Sequence, residues 1–179
     1  MRIVEDRMIS NKMTDRINLQ INREMYSAYL YLAMGAKMTE VGYTGIGKWL
    51  TVQYHEEMFH AMKFAKYLQD QSATVKYAPI ETPTFSETGV KELFQHILKH
   101  EQFVTSSIRE MVELARAEKD YATENLLQWY IGEQVEEEKN DAEILQAIDL
   151  LGNNAQGLFM LNIELGKREN GASLDFTKI

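Results

Sequence analysis

The chain has 179 residues, of which 27 are acidic and 19 are basic, so its formal net charge is −8 at pH 7. This charge disfavours a nucleic-acid partner, which would require a basic face. The chain contains no cysteine, which excludes disulfides, zinc–thiolate sites, iron–sulfur clusters and thiol nucleophiles. The sequence shows neither a secretory signal nor a membrane span, so we expect a cytoplasmic protein that does not bind membranes.

The composition predicts an all-α protein. Helix-forming residues dominate the chain, and the only two prolines, Pro79 and Pro83, fall in one segment. The length suits a single domain with a full core. We therefore expect one domain over residues 1–167, with residues 1–9 as an N-terminal extension and residues 168–179 as a flexible tail.

Apolar residues that recur at alternating steps of three and four predict four long helices. Ser10 can cap the first of them. Short turns within each consecutive pair make those helices antiparallel, whereas residues 72–88 are predicted to be an extended crossover as long as the bundle. The expected fold is a four-helix bundle with this crossover between helices 2 and 3; the predicted helices are Asn11–Lys37, Ile46–Gln71, Gly89–Lys119, Ala122–Leu151 and a short fifth, Gln156–Lys167.

The first predicted helix carries a second apolar stripe beside its main one. The stripe widens the apolar surface beyond the need of one small bundle, so it is either a broad core face or a subunit interface. Its members are Met25, Tyr26, Tyr29, Leu30 and Ala33.

Each of the four long helices has a polar interruption near the middle of its apolar stripe. The interrupting residues are Glu24 on the first helix, Glu57 with His60 on the second, Glu101 on the third, and Gln134 with Glu137 on the fourth. Four uncompensated buried carboxylates would cost on the order of 10 kcal/mol, comparable to the stability of a whole domain. A bound pair of cations would remove this cost.

The spacing Glu-x-x-His places two ligand groups one turn apart on the same helix face. Oxygen-rich ligands with one imidazole suit iron or manganese, although zinc or copper could compete by affinity. A metal-free polar layer that fixes the register of the bundle is the alternative, and it would require some carboxylates to be protonated at neutral pH.

Three further glutamates, Glu56, Glu133 and Glu136, flank the inner set by one position. They could hold a third ion. An ordinary solvated acidic run that continues through Glu138 explains the same pattern.

The other histidines give a weaker signal. His96 and His100 are four residues apart, a spacing compatible with zinc, but Gln95 and Lys99 beside them indicate a solvated face. His55 is expected next to the metal site or at the surface.

From about Met8 to Gly166 the chain resembles the non-haem ferritins of bacteria and archaea, in which carboxylate ligands occupy the core of a helical bundle. Four segments carry the likeness: Asn22-Arg23-Glu24-Met25-Tyr26-Ser27-Ala28-Tyr29-Leu30-Tyr31, Glu56-Glu57-Met58-Phe59-His60, Lys99-His100-Glu101, and Gln128-Trp129-Tyr130-Ile131-Gly132-Glu133-Gln134-Val135-Glu136-Glu137-Glu138-Lys139.

The resemblance implies a role for each matching residue. In the di-iron centre, it assigns Glu24 and His60 to the first iron, Glu57 to a bridge, and Glu101 and Glu137 to the second iron, with Gln134 as a near neighbour and Tyr31 beside the centre. It also implies a third iron site formed by Glu56, Glu133 and Glu136, with Glu137 shared.

The resemblance further implies oxidation of Fe(II) to Fe(III) by dioxygen or hydrogen peroxide, followed by mineral storage inside a homo-oligomeric cage of about 24 chains. The short fifth helix would lie at the fourfold axis of that cage.

Three other classes of protein share features with this chain. Met58 matches the haem ligand of bacterioferritins, but those proteins have a second Glu-x-x-His where this chain has Gln134-x-x-Glu137, so no haem is expected. Rubrerythrin-like peroxidases usually carry a cysteine-bound iron domain, which the absence of cysteine forbids. A metal-free structural bundle remains the alternative from a different class.

Overall fold

The computed structural model describes residues 9–152 and 154–171, and this part of the chain forms five helices and no strand. The all-α prediction is confirmed, with helix ends that differ from the predicted ones by a few residues. The helices are α1 Asn11–Glu40, α2 Thr44–Asp70, α3 Val90–Glu118, α4 Tyr121–Leu151 and α5 Ala155–Leu165. The predicted N-terminal extension up to residue 8, and the predicted tail from residue 172, lie outside the described residues.

Side-chain caps fix the starts of two long helices. The Ser10 hydroxyl accepts a hydrogen bond from the Met13 amide at 3.0 Å, as predicted for α1. At α4 the Asp120 carboxylate accepts from the Thr123 amide at 3.0 Å. The α1 helix extends beyond the predicted Lys37 because Met38 is fully buried in the core.

The bundle consists of two helical hairpins, in which α1 packs on α2 and α3 packs on α4. The extended crossover between them runs along α1, where two asparagines one turn apart bind its backbone. Asn18 donates to the Thr74 carbonyl at 2.9 Å, and Asn22 donates to the Pro79 carbonyl at 3.1 Å. The crossover therefore returns the chain to the other end of the bundle, and α3 runs parallel to α2.

A polar layer divides the hydrophobic core into two clusters. The first lies at the end of the bundle where α1 begins and contains Ile17, Ile21, Phe64, Ile108, Leu127 and Tyr130, among others. The second lies at the opposite end and contains Leu30, Met34, Leu50, Phe94, Ile97 and Ile148, among others. Every long helix contributes to both clusters, so the polar interruptions of all four helices meet at one level between them.

The short α5 helix rests on the start of α2. The Asn162 side chain accepts a hydrogen bond from the Ile46 amide at 3.0 Å, and Lys48 donates to the Gly166 carbonyl at 2.8 Å. The chain after α5 then continues along α2. There Arg168, the first residue of the predicted tail, donates hydrogen bonds to Gln53 and Glu56.

The second apolar stripe of α1 is split between core and surface. Leu30 is 1 % exposed, whereas Tyr29 is 48 % exposed, and the other three members are half-buried. No helix in the described part of the chain is long and apolar enough to span a membrane.

Candidate metal centre

Three of the predicted ligands meet in the centre of the polar layer. Glu24, Glu57 and His60 each offer a ligand atom, and these atoms all lie within 4.8 Å of one another. Their side chains are almost completely buried, with 1 to 3 % exposure. Gln20 donates a hydrogen bond to one Glu24 oxygen at 2.8 Å, while the other, Oε2, has no hydrogen-bond partner among the described residues. This oxygen is available to a cation.

Without a bound cation, burial disfavours the ionised forms of Glu24 and Glu57. Burial raises the pKa of Glu24 to about 7, with a smaller contribution from the charge of Glu101. Burial also raises the pKa of Glu57 well above its ordinary value, and Glu101 and Glu24 add to the rise. Since a bound cation favours the ionised form, metal binding at this point would displace protons.

His60 is prepared to act as a neutral ligand. Burial lowers the pKa of His60 to about 4, and the charge of Lys63 contributes, so the imidazole retains a free nitrogen lone pair at neutral pH. Its Nδ1 lies 3.8 Å from a Glu57 oxygen. The Tyr130 hydroxyl donates to the His60 carbonyl oxygen at 2.8 Å, and the Trp129 ring packs edge-on against the imidazole.

Glu101 lies on the opposite hairpin and has hydrogen-bond donors on both oxygens. The Tyr31 hydroxyl donates to Oε1, and the Gln134 amide donates to Oε2 at 3.0 Å. Gln134, predicted as a neighbour of the second iron, thus positions a carboxylate in this structure. Burial is the main cause of the raised pKa of Glu101.

Glu137 completes the predicted inner set. One of its oxygens accepts a hydrogen bond from the Gln53 amide at 2.8 Å. Burial, followed by the charge of Glu101, raises the pKa of Glu137 well above its ordinary value. Glu101 and Glu137 are not part of the group whose ligand atoms all lie within 4.8 Å of one another. Their charges nevertheless raise the pKa of Glu57.

The three outer glutamates line one cavity of about 370 Å³ beside the inner set. Glu56, Glu133 and Glu136 line it together with Glu137; their role as a third cation site stays a prediction. Burial raises the pKa of both Glu56 and Glu133, and the charge of Glu136 contributes in each case. The cavity also contains the side chain of Arg168.

Sequence reasoning missed four polar residues that contact or adjoin the predicted ligands. Gln20, Gln53 and Asp141 occur on the same helix faces as the ligands, so helical spacing could have identified them. Arg168 had no signal, because it comes from the segment after α5. Asp141 is 1 % exposed, and neither of its carboxylate oxygens has a hydrogen-bond partner in the described ranges.

The remaining histidines occupy separate environments. His100 is half-buried rather than on a fully solvated face, and its Nε2 lies 2.8 Å from the Ser27 hydroxyl on α1. His96 contacts Glu87 at 3.0 Å, so the two rings have different partners. His55 lies 3.1 Å from the Asn170 side-chain amide.

Comparisons with known proteins agree with this geometry. The family model of the ferritin-like domain matches residues 14–151. A probable bacterial non-heme ferritin-like protein of Haemophilus influenzae is 38% identical over 159 residues, covering 89% of this chain and 96% of that protein. A bacterial non-heme ferritin of Escherichia coli O6:H1 is 35% identical over 158 residues, covering 88% and 96%.

Solved structures give the same result. An open pore ferritin from the hyperthermophilic archaeon Archaeoglobus fulgidus matches with a TM-score of 0.89 and 41% identity, covering 92% of this chain and all of that one. The fold and the buried carboxylate–histidine centre thus define a ferritin-like bundle. The chain belongs to the ferritin-like family and, within it, to the non-haem ferritins of bacteria and archaea.

Proposed function

We propose that this protein is an iron-storage ferroxidase, which oxidises iron(II) to iron(III) at the buried centre and deposits the product as a mineral. The observation that carries the proposal is the cluster of Glu24, Glu57 and His60, whose ligand atoms lie within 4.8 Å in the core. The unpaired oxygen of Glu24 supports it. The names of the ferritin relatives agree with storage of iron.

Two iron ions would share the inner set of ligands. Glu24 and His60 would bind the first iron, Glu57 would bridge, and Glu101 and Glu137 would bind the second. Tyr31 and Gln134 would orient Glu101 through their hydrogen bonds. Carboxylate oxygens with one imidazole are a donor set that suits iron.

The carboxylates favour the oxidation because anionic oxygens stabilise iron(III) more than iron(II). Each of the two iron(II) ions gives up one electron. Dioxygen takes up the two electrons with two protons to give hydrogen peroxide, or hydrogen peroxide takes them up with two protons to give water. The raised pKa values of Glu24 and Glu57 mean that protons released on iron binding come from the site itself.

Storage requires an enclosed space, and we propose a homo-oligomeric cage of about 24 chains with α5 at the fourfold axis. Exposed apolar side chains on α1 and α3, among them Leu19, Tyr29 and Phe103, support subunit contacts. The cytoplasmic location expected from the sequence stays a prediction.

The test is stopped-flow absorbance after the aerobic apoprotein is mixed with a few equivalents of iron(II) per chain. We expect fast, saturable iron(III) formation that Glu57→Ala reduces at least about 100-fold, since even changing partners of metal ligands costs about 10- to 100-fold. The bundle should stay folded, because the substitution removes a buried polar group whose ionised form burial disfavours.

The matched control is Glu143→Ala, which removes an exposed glutamate of α4 that pairs with Lys139. It should oxidise iron at the wild-type rate. A wild-type rate no higher than the buffer control would refute the ferroxidase and favour the metal-free bundle. A haem absorbance spectrum of the purified protein tests the bacterioferritin-like alternative.

A further inference from the structure

A positive charge already lies in the cavity of the third site. The Arg168 guanidinium donates through Nη2 to a Glu56 oxygen at 2.7 Å and through Nη1 to the Gln53 side-chain oxygen. Both members of the ion pair are largely shielded, with side-chain exposures of 23% and 22%. Contacts of this kind are stronger than those of a fully solvated pair.

Arg168 is also linked through Gln53 to Glu137, which is a proposed ligand of both the third site and the inner centre. Gln53 accepts from Arg168 and donates to Glu137 at 2.8 Å, so Arg168 fixes the orientation of the amide that holds Glu137.

The surrounding structure places the guanidinium at this point. The central carbon of the guanidinium, Cζ, lies 4.8 Å from the centre of the Trp49 ring, and Trp49 is 4% exposed. The preceding segment is attached to α2 through Lys48 and the Gly166 carbonyl. Arg168 thus reaches Glu56 from an anchored backbone and stacks on a buried ring.

We infer that Arg168 is an internal cation that competes with iron(II) for the third site and keeps iron binding there weak and exchangeable. The inference rests on the proposed role of Glu56, Glu133 and Glu136 as an iron site. An incoming cation must displace the guanidinium from Glu56, because two positive charges on the same carboxylate repel each other. Among the described residues, Arg168 makes its side-chain hydrogen bonds and ion pair with Gln53 and Glu56 and none with Glu24, Glu57 or His60. We therefore expect it to leave the first metal position unaffected.

The experiment is a calorimetric titration of iron(II) into the assembled apoprotein without oxygen. Arg168→Gln should increase the affinity of the third binding event by about tenfold or more, which corresponds to about 1.4 kcal/mol. Arg168→Lys retains the positive charge and should stay close to wild type. The matched control is Lys167→Gln, which makes the same change of net charge at the exposed neighbour paired with Glu164, and it should have no effect.

Further variants separate the possible outcomes. In the Arg168→Gln background, Glu133→Gln should remove the gain in affinity, which would locate it in the cavity. Equal third-site affinities in wild type and Arg168→Gln would overturn the inference and leave the third site intact. Two binding events but no third in every variant would overturn the third-site assignment together with the inference. Unchanged assembly size and far-UV circular dichroism exclude misfolding as the cause of any difference.

Discussion

Individual carboxylates in the polar layer differ in how their burial is compensated. Glu101 has a donor on each oxygen and Glu137 has one on Oε2, whereas Asp141 has none in the described part of the chain. Burial, followed by the charge of Glu101, raises the pKa of Asp141 to about 8. An unpaired buried carboxylate is one of the costliest groups in a core.

The titratable and charged groups that act on Asp141 come from several elements. Glu101 on α3 and Glu138 on α4 raise its pKa, and Arg168 after α5 opposes them. On α1, the charge of Asp141 contributes to the raised pKa of the Tyr31 hydroxyl. Burial and the two acidic neighbours raise the pKa of Asp141 by more than the one basic neighbour lowers it, so the neutral form of Asp141 is favoured.

Asp141→Asn should change the pH dependence of stability in the metal-free protein. Between its ordinary pKa of 3.8 and about 8, the folded chain holds a proton that the unfolded chain has released, so the free energy of unfolding falls as pH rises. The Asp141→Asn variant has no titrating group at this position, so this fall in the free energy of unfolding is absent from it. The melting temperature of the variant, relative to wild type, should therefore rise between about pH 5 and about pH 8, as measured by scanning calorimetry.

The control for this measurement is Asp149→Asn, which changes an exposed aspartate of the same helix that pairs with Lys91. Its melting temperature should follow wild type across the same range. If the Asp141→Asn difference were independent of pH, the assignment of a buried, protonated aspartic acid would be wrong.

At the scale of the helices, the position of α5 depends on one close backbone contact with α2. A Cβ at Gly45 would overlap the backbone carbonyl oxygen of Asn162, so only glycine permits this distance. The same contact brings the Asn162 side chain to the Ile46 amide. The position of the segment after α5, which includes Arg168, follows from this packing.

Gly45→Ala should displace α5, at a cost on the order of 2 kcal/mol for overpacking. The four-helix bundle should remain folded, because its core lies elsewhere. Limited proteolysis should then cleave faster after α4, with little change in helical circular dichroism.

The comparison for Gly45→Ala is Gly132→Ala on α4, where an added Cβ would meet no atom within 4 Å. This substitution should not accelerate cleavage, since alanine favours the helix. Equal cleavage of the Gly45 variant and wild type would mean that α5 is not held by this contact.

At the scale of the whole molecule, the outer face of α1 carries apolar side chains that the single chain leaves exposed. Tyr29 is 48% exposed and Leu32 is 40% exposed. Leu19 and Phe103, at 42% and 51%, line an open groove between α1, α3 and the crossover. Such a surface is favourable only when another surface covers it.

Tyr29→Arg should reduce the size of the assembly, because an unpaired charge buried in a subunit interface costs several kcal/mol. Sedimentation velocity should show a smaller particle, while circular dichroism stays unchanged. Tyr29→Phe preserves the apolar ring and should assemble normally. A full-size Tyr29→Arg assembly would show that this face of α1 is not a subunit interface.

Much of the fold and part of the site could be predicted from the sequence, because both depend on the helical period. The spacing of apolar residues identifies each helix, and the short turns determine which helices form hairpins. Interruptions such as Glu24 and Glu57 stand out because a carboxylate in an apolar stripe is costly without a partner. The structure brings these residues together at the expected level of the bundle.

The hydrogen-bond partners within the site were decided only by the tertiary structure. Tyr31 and Glu101 are 70 positions apart, and Arg168 and Glu56 are 112 apart, so no pattern within one helix could reveal either pair. The same holds for His100, which turns toward Ser27 on α1 although its own neighbours are polar. The sequence by itself determined which helix faces carry the charges; the packing of those faces against one another decided which oxygens are satisfied, which remain free for a metal, and where the arginine lies.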